Sequence, residues 1–413
     1  MDWPELFSRR ALGMRLGLEA IADVYAALGR PAGDTPAIHV VGTNGKGSTA
    51  AMVAHALHRH GRRVGLYTSP HLVRVGERVR IDGVAVDDGV LLGHVQAVVA
   101  AEGIAPRPLT FFELLTLGAM AVFAEADVDV VVAEAGLGGR LDATRIVRPV
   151  ATVVTSIGLD HTHWLGDTLP AIAAEKAAVF VRDAPVFAAP AADEVRAVLE
   201  RAAVDAGTTL SFPDPLPRPP ALLRGAHQAA NAALALAAAR VLEPRVTAAD
   251  LDDARWPGRA DRRDVGAGQV WLDVAHNAEG MAALVATLRA EGVVPDLVLV
   301  SGMDDKPIDA MLAALATLNA PLAWVDLGPG SAPMPASLGR RYDDAVVAWT
   351  DVHDDVAAGA CVLVCGSVRL VGGVLAAMEG RARPDAQDPV RAAERPTSAD
   401  DPTAVFGGDE RDR

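Results

Sequence analysis

Lysine is almost absent from this sequence. Of its 38 basic residues only Lys46, Lys176 and Lys306 are lysines, and all the others are arginines. Arginine therefore serves wherever a generic cation suffices. We expect the three lysines at positions where a guanidinium cannot work, because lysine is a compact point charge whose amine can be chemically modified.

Long apolar runs and cysteines are also scarce. No stretch of eighteen or more apolar residues occurs, which excludes a membrane-spanning helix and a membrane partner. The first residues lack the pattern of a secretory signal, so we expect a cytoplasmic protein. Cys361 and Cys365 lie at strand-like spacing among valine and leucine, and we interpret them as small apolar residues in a reducing compartment.

The charge balance bears on possible partners. The formal net charge is −15 over 413 residues, whereas nucleic-acid binders usually present a basic face. We therefore expect no nucleic-acid partner; this composition does allow a local basic pocket for an anionic ligand. Half of the chain is apolar, which is enough for two buried cores.

Apolar runs rich in β-branched residues alternate with helical patterns, which indicates parallel strands with helices on both faces. The first half has predicted strands at 37–41, 64–67, 128–133 and 150–155, and predicted helices at 52–59, 111–125 and 172–181. After an alanine-rich helix at 226–242, the second half has predicted strands at 270–274, 297–301, 322–325 and 361–365.

This pattern predicts an α/β protein with a P-loop-type, mostly parallel sheet domain followed by a smaller Rossmann-like α/β domain. We place the boundary at Trp256-Pro257-Gly258, so that the domains cover 1–257 and 258–380. From 381 to 413 the chain is rich in proline, aspartate and arginine, and we predict a disordered tail.

A glycine-rich segment follows the first predicted strand and precedes a helix. Its backbone amides and the helix N-terminus form a concavity suited to phosphate, and Lys46 can reach the terminal phosphates. A tight turn without a ligand is the plainer alternative, but this context is the one a phosphate loop requires. The predicted nucleotide-binding residues here are Gly42, Thr43, Asn44, Gly45, Lys46, Gly47 and Ser48.

This segment resembles the nucleotide loop of the folylpolyglutamate synthase/dihydrofolate synthase family, which is related to the Mur ligases. The resemblance continues to about residue 380, and the order of the matching pieces is its specific signal. The pieces are residues 67–72, 77–80, 110–113, 134–144, 159–161, 165–168, 175–176, 227–231, 257–259, 273–277, 305–306 and 366–367. The resemblance implies that the second domain is a ligase domain.

The resemblance implies a metal site. Ser69, Glu134 and His161 would bind one Mg²⁺, with ATP as the nucleotide. Glu134 follows a predicted strand, at the sheet edge where ligands of parallel sheets bind, and Mg²⁺ prefers oxygen ligands. From the residues alone, His161 is a capping or solvated loop histidine.

Lys176 follows Glu175 in a predicted helix, and from the residues alone it is a surface cation paired with a carboxylate. The resemblance implies instead that Lys176 is carbamylated and that the resulting anion binds a second Mg²⁺ or its waters. An arginine could not take this role. The catalytic residues implied are Lys46, Lys176 and His276.

The second domain would complete the nucleotide site. The resemblance implies that Asn231, Arg259 and Asp273 hold the nucleotide across a cleft. The alternatives are a polar helix-face residue for Asn231, a surface ion pair for Arg259 and a helix cap for Asp273. Lys306 either contacts a phosphate or begins a helix.

The implied activity is ATP-dependent coupling of L-glutamate to a pterin carboxylate through an acyl phosphate. We favour a bifunctional, monomeric enzyme that acts on dihydropteroate and on reduced folates. The implied substrate-binding residues are Thr110, Phe112, Gly138, Gly139, Arg140 and Asp142. The alternatives are a Mur-type amino-acid ligase for a cell-wall precursor, which the early position of the phosphate loop disfavours, and a non-catalytic nucleotide-binding protein.

Overall fold

The computed structural model describes residues 2–9 and 17–381, and the structural statements below concern these residues. The predicted tail lies outside them apart from Arg381. No helix in these ranges is long and apolar enough to cross a membrane.

The first sheet carries residues 42–48, the predicted phosphate loop. Its strands are β1 Pro36–Val41, β2 Val64–Tyr67, β3 Val79–Ile81, β4 Val84–Ala85, β5 Val130–Glu134, β6 Arg148–Val154, β7 Val186–Ala188 and β8 Leu210–Ser211. They are ordered β4-β3-β2-β5-β1-β6-β7-β8. Only β3 pairs antiparallel with its neighbours among these strands, so the carboxyl ends of β2, β5, β1 and β6 meet at one edge.

Helices cover both faces of this sheet. They are α1 Trp3–Ser8, α2 Glu19–Ala27, α3 Lys46–Arg59, α4 Asp88–Ala101, α5 Phe111–Glu125, α6 Thr162–Leu165, α7 Leu169–Ala177, α8 Asp193–Ala206 and α9 His227–Leu242. Alternate residues of β1 enter opposite cores, as the two-residue period of a strand requires. Ala37 packs with α2, α4 and α5, whereas Ile38 and Val40 pack with α3 and α9.

The second sheet is smaller. Its strands are β9 Asp261–Val265, β10 Gly268–Asp273, β11 Leu297–Val300, β12 Leu322–Val325, β13 Arg340–Tyr342 and β14 Cys361–Cys365, ordered β13-β12-β11-β14-β10-β9. Its helices are α10 Ala278–Ala290, α11 Ile308–Ala316, α12 Ala345–Ala357 and α13 Val368–Met378. Only β9 is antiparallel here, and both cysteines are buried and unpaired in β14.

The predicted fold class is confirmed, and several boundaries move. The helix predicted at 52–59 begins at Lys46, because Gly45 adopts the left-handed conformation and serves as its N-cap. The helix predicted at 172–181 covers Leu169–Ala177, since the Thr168 side chain caps its start. Glu134 is the last residue of β5. The domain boundary stays a prediction; β8 ends the first sheet before it, and β9 begins the second sheet after it.

Candidate active site

The phosphate loop connects β1 to α3, and two of its glycines are required by the backbone. Gly42 has φ 143°, and a Cβ there would lie 1.8 Å from Thr155 Oγ1. Gly45 has φ 88°, and a Cβ there would lie 2.6 Å from Asn231 Oδ1. Any side chain would therefore displace the strand or helix that borders the loop.

Two of the three lysines meet at this loop. Lys46 Nζ lies 3.1 Å from the carbonyl oxygens of Gly42 and Thr43, and Lys176 Nζ lies 2.8 Å from that of Gly42. Only 3% of Lys176 is exposed. Burial, reinforced by the charge of Lys46, lowers the pKa of the Lys176 amine to about 7. The structure thus brings these two predicted catalytic residues together.

The loop after β5 packs against the helix that carries Lys176. The Arg140 backbone amide donates to Glu175 O at 2.9 Å, and its guanidinium Nε donates to Glu175 Oε1 at 3.0 Å. A Cβ at Gly139 would lie 3.0 Å from Lys176 O, and one at Gly138 would lie 2.9 Å from Leu165 Cδ2. The predicted substrate loop and Lys176 therefore form one packed unit.

Asp142 shapes this loop from inside. Its carboxylate accepts the backbone amides of Leu137 and Thr144, both at 2.9 Å, and the Thr144 hydroxyl. Because Thr144 donates its hydroxyl hydrogen to Asp142, His39 Nε2 is the donor in its 2.8 Å contact with Thr144 Oγ1. Asp142 is 5% exposed, so its first role is to fix the loop, and substrate contact stays a prediction.

The two predicted substrate residues at the start of α5 differ in their surroundings. Thr110 is the N-cap of α5 and forms a capping box with Glu113, which also binds Arg107 at 2.8 and 2.9 Å. Phe112 is partly buried, with its ring 5.9 Å from that of Tyr67. A Cβ at Gly136 would lie 2.7 Å from Phe112 Cζ. Phe112 thus borders the loop after β5, whereas Thr110 is committed to the helix cap.

Of the predicted metal ligands, the structure joins Ser69 and Glu134. The Ser69 amide donates to Glu134 Oε2 at 3.1 Å, and Glu134 Oε1 has no hydrogen-bond donor within residues 2–9 and 17–381. Glu134 is 5% exposed, and burial raises the pKa of its carboxyl group against the opposing charge of Lys46. A buried carboxylate with an uncommitted oxygen fits a hard divalent cation.

His161 lies next to Asp160, at the start of α6. It has φ 50°, precedes α6, and places Nε2 3.9 Å from Asp160 Oδ1. Among residues 2–9 and 17–381, no group of three or more His, Cys, Asp or Glu side chains is arranged for a metal. The predicted ligands include only two residues of these types, Glu134 and His161, so this finding does not test them. Ligation by His161 therefore stays a prediction.

Helix α9 closes the other side of the phosphate loop. Asn231 Nδ2 donates to Gln228 Oε1 at 3.0 Å, and Gln228 Nε2 lies 3.4 Å from Ser48 Oγ. Both amides are buried. Gln228 is not among the predicted site residues. Two amide side chains three positions apart on an alanine-rich helix share one face, and this pattern could have indicated that Gln228 belongs to the site with Asn231.

Asp273 and Arg259 face each other at the start of the second domain. Asp273 accepts the amides of Ala260 and Ala275, each at 2.7 Å, and its pKa is raised by burial against the charge of Arg259. The helix-cap alternative for Asp273 is wrong, because Asn277 caps α10 through the Gly280 amide. Arg259 donates to Gly258 O at 3.1 Å, and its charge acts on both Glu134 and Asp273.

A cavity of about 330 Å³ separates the two sheets at this point. Gly47, Ser69 and Glu134 line it from the first sheet domain, and Arg259 and Val274 line it from the second. Residues predicted separately as phosphate, metal and nucleotide ligands therefore share one cleft.

Asp160 forms a second junction between the domains. Its carboxylate accepts Lys306 Nζ at 2.8 Å and Asn277 Nδ2 at 3.2 Å, and lies 3.5 Å from His276 Nε2. Burial opposes ionisation, but the hydrogen bond from His276 and the charges of His161 and Lys306 hold the pKa of Asp160 well below its usual range. His276 Nδ1 donates to Val274 O at 2.9 Å.

In the sequence, Asp160 stands only within a matching piece, and Lys306 has two alternative roles. The helix-start alternative for Lys306 is wrong, since α11 begins at Ile308. All three lysines of the chain thus lie around the phosphate loop or at the junction facing it.

Comparison with known proteins covers nearly the whole chain. Residues 40–214 match the family described as Mur ligase middle domain. The chain is 36% identical over 409 residues to the dihydrofolate synthase/folylpolyglutamate synthase of Escherichia coli, covering 89% of this chain and 92% of that protein. It is also 36% identical to the probable bifunctional folylpolyglutamate synthase/dihydropteroate synthase of Haloferax volcanii, covering 89% of this chain but spanning only about half, 49%, of that relative.

Solved structures agree in fold. E. coli FolC in complex with DHPP and ADP is 32% identical, with a TM-score of 0.81, and the match covers 91% of this chain and 97% of that chain. A bifunctional folylpolyglutamate synthase/dihydrofolate synthase with Mn, AMPPNP and L-glutamate bound is 32% identical, with a TM-score of 0.78 and the same coverage. The chain therefore belongs to the folylpolyglutamate synthase/dihydrofolate synthase family.

Proposed function

We propose that this chain is an ATP-dependent, ADP-forming ligase that couples L-glutamate to a pterin or folate carboxylate. It would act as both dihydrofolate synthase and folylpolyglutamate synthase, as a monomer on small-molecule substrates. The observation that carries the proposal is the convergence of Lys46 and Lys176 on Gly42, facing His276 and Lys306 of the second domain. A phosphate loop that only held nucleotide would not need the second lysine.

The chemistry follows from the leaving group. A carboxylate is a poor acylating agent because oxide would have to leave. Transfer of the γ-phosphoryl group to a carboxylate oxygen gives an acyl phosphate and ADP. The glutamate amine then attacks the acyl carbon, the tetrahedral intermediate expels phosphate, and the amine proton passes to solvent or a nearby base. Lys46 and the loop amides would stabilise the negative charge on the phosphates during transfer.

The divalent cations that we propose, two Mg²⁺, would neutralise phosphate charge when bound. Glu134 would bind the first cation through its uncommitted Oε1, while the Ser69 amide orients the carboxylate through Oε2. Ser69 and His161 would complete the protein ligands of that cation. The raised pKa of Glu134 means that burial disfavours its charged form, which a cation would offset.

Lys176 has the properties that carbamylation requires. A pKa of about 7 leaves much of its amine neutral near neutral pH, and a neutral amine can attack carbon dioxide. The ammonium first loses one proton; attack of the neutral amine on carbon dioxide then forms an N–C bond and releases a second proton, so a cationic side chain becomes an anionic carbamate. We propose that this anion binds the second Mg²⁺ or its waters beside Lys46.

The pterin would bind beside Phe112 and the glycine-rich loop at Gly138, Gly139 and Arg140. That loop packs on α7, so substrate contacts and Lys176 would be positioned by the same element. Asn231, Arg259 and Asp273 would border the nucleotide. Because the two domains jointly enclose the cleft, water would be kept from the acyl phosphate.

One assay tests this function against its alternatives. ADP release is measured with dihydropteroate, tetrahydrofolate or a cell-wall precursor, each with and without L-glutamate. We expect glutamate-dependent release with both pterin substrates. Turnover with the cell-wall precursor alone would indicate a Mur-type ligase, and nucleotide binding without turnover on any substrate would indicate a non-catalytic protein.

A further inference from the structure

Asp160 belongs to the first domain, where its carboxylate accepts the amide of the adjacent His161 at 2.9 Å, but its side-chain partners at the domain junction lie in the second. It follows β6, and its carboxylate binds Lys306 and Asn277 at 2.8 and 3.2 Å, with His276 Nε2 at 3.5 Å. These three partners come from two separate segments, the start of α10 and the loop before α11. A single side chain of the first domain thus fixes two segments of the second.

Two attachments between the domains flank the phosphate loop along the sheet edge. A third lies before α9, where Arg224 Nε is 3.6 Å from Glu291 Oε2 and the guanidinium is 5.4 Å from the centre of the Trp271 ring. At the loop after β2, Val73 is buried in the core of the second domain and Leu72 packs against that core. At the loop after β6, the attachment is Asp160. The strands β2 and β6 are three strand spacings apart, roughly 14 Å. The phosphate loop after β1 and Glu134 at the end of β5 lie between the two attachments.

The two attachments that flank the phosphate loop differ in chemistry. The first is apolar and tolerates small rotations, because hydrophobic contact is non-directional. The second is an ion pair with hydrogen bonds, and it specifies orientation. Asp160 and Lys306 have side chains only 10% and 7% exposed, so the pair is shielded from water. Losing one member of such a pair leaves a buried charge and is strongly unfavourable.

Asp160 also connects to the phosphate loop. Asn277 Nδ2 donates both to Asp160 Oδ2 and, at 3.0 Å, to Asn44 Oδ1. Asn44 Nδ2 in turn donates to Glu279 Oε2 at 3.3 Å. The side chain next to the phosphate-binding backbone is therefore held by the same short segment of α10 that Asp160 holds.

We propose that Asp160 is a positioning residue for the ligase reaction. It sets the orientation of the second domain across the phosphate loop, and so places His276 and Lys306 opposite the nucleotide before chemistry. Asp160 acts through these side chains and contacts no substrate itself. The expected change in kcat rests on the proposed function, whereas the expected change in the contacts between the domains does not.

Lys306 supplies a matched control. It has a second carboxylate partner, Asp305, at 3.1 Å, which belongs to the second domain and has a side chain 55% exposed. Asp160→Asn and Asp305→Asn each replace one of the two carboxylates that contact Lys306 by a neutral amide. Only the first removes a contact between the domains.

The experiment compares both variants with the parent chain in two assays. The first is steady-state ADP release against glutamate concentration, together with the ATP dissociation constant. For Asp160→Asn we expect kcat to fall about tenfold or more, with ATP affinity within about threefold because the phosphate loop is intact. For Asp305→Asn we expect both quantities to stay near the parent values. Asp160→Glu, which keeps the charge, should recover part of the lost kcat.

The second assay is amide hydrogen exchange without ligand, read at residues 273–280 and 303–309. We expect faster exchange at both segments in Asp160→Asn and not in Asp305→Asn. Equal effects of the two variants, or a lower melting temperature in Asp160→Asn with unchanged kcat and exchange, would overturn the proposal. If the parent chain shows no ligase activity, the proposed function fails, and hydrogen exchange still decides the role of Asp160.

Discussion

Lys46 and Lys176 donate to one carbonyl oxygen, that of Gly42, although they lie on different helices, α3 and α7. Two ammonium groups at one acceptor repel each other, and Lys176 is the more deeply placed of the two. Its pKa of about 7 is the result of that burial and of the Lys46 charge. The arrangement supplies an amine that is reactive near neutral pH, next to the phosphate loop.

The first prediction concerns Lys176→Arg. A guanidinium stays charged and cannot become a carbamate, so we expect turnover to fall by about a thousandfold or more, the scale of losing an essential charge-stabilising group. ATP binding should persist, because Lys46 and the loop are unchanged. Isothermal calorimetry and ADP release separate the two effects. Near-normal turnover in this variant would remove the carbamate proposal.

The second prediction uses two glycines with nearly the same backbone. Gly45→Ala places a Cβ 2.6 Å from Asn231 Oδ1 at φ 88°, whereas Gly61→Ala at φ 85° meets nothing within 4 Å. Each substitution should cost roughly 1–2 kcal/mol of stability from the left-handed backbone. Only Gly45→Ala should also weaken ATP binding, by about tenfold or more.

Chemical denaturation and ATP titration of both variants check this prediction. Equal ATP affinities in Gly45→Ala and Gly61→Ala would mean that the contact between the phosphate loop and α9 does not shape the nucleotide site.

The third prediction concerns pH and His39. Burial, with the charge of Arg145, lowers the pKa of His39 from the ordinary value of about 6.5 to about 4. Between these values the unfolded chain binds the proton and the folded chain does not. Stability is therefore fully present above about pH 6.5 and is lost as pH falls towards 4, by roughly 3 kcal/mol.

His39→Gln keeps a donor for Thr144 but does not titrate. We expect its free energy of unfolding to fall less steeply between pH 7 and pH 4 than that of the parent chain, measured by urea denaturation at each pH. Because the other titrating groups are common to both proteins, the difference in slope isolates His39. Parallel slopes would place the acid sensitivity elsewhere.

The sequence predicted most of the strands and the glycine-rich turn between β1 and α3, because each depends on local patterns. Strands β2, β12 and β14 match their predicted bounds. Asp160 and Gln228 could not be assigned in the same way, because their partners come from distant segments and are set by tertiary placement. Asp142 shows the converse limit: local sequence cannot tell a carboxylate that faces a ligand from one that turns inward to bind its own loop.

The last prediction separates function from stability at Glu134. Because burial raises the pKa of this carboxyl group, its charged form is held at a cost in the folded chain, and that cost grows as pH rises through the folded pKa. Glu134→Gln keeps the shape and removes the charge. At pH 7.5 we expect an unchanged or higher melting temperature without metal, and turnover lower by about a hundredfold or more with a raised Mg²⁺ requirement. Differential scanning calorimetry and ADP release over a Mg²⁺ series measure both quantities. A variant that is less stable, yet turns over normally at the parent's Mg²⁺ concentration, would show that Glu134 supports the fold and not the metal.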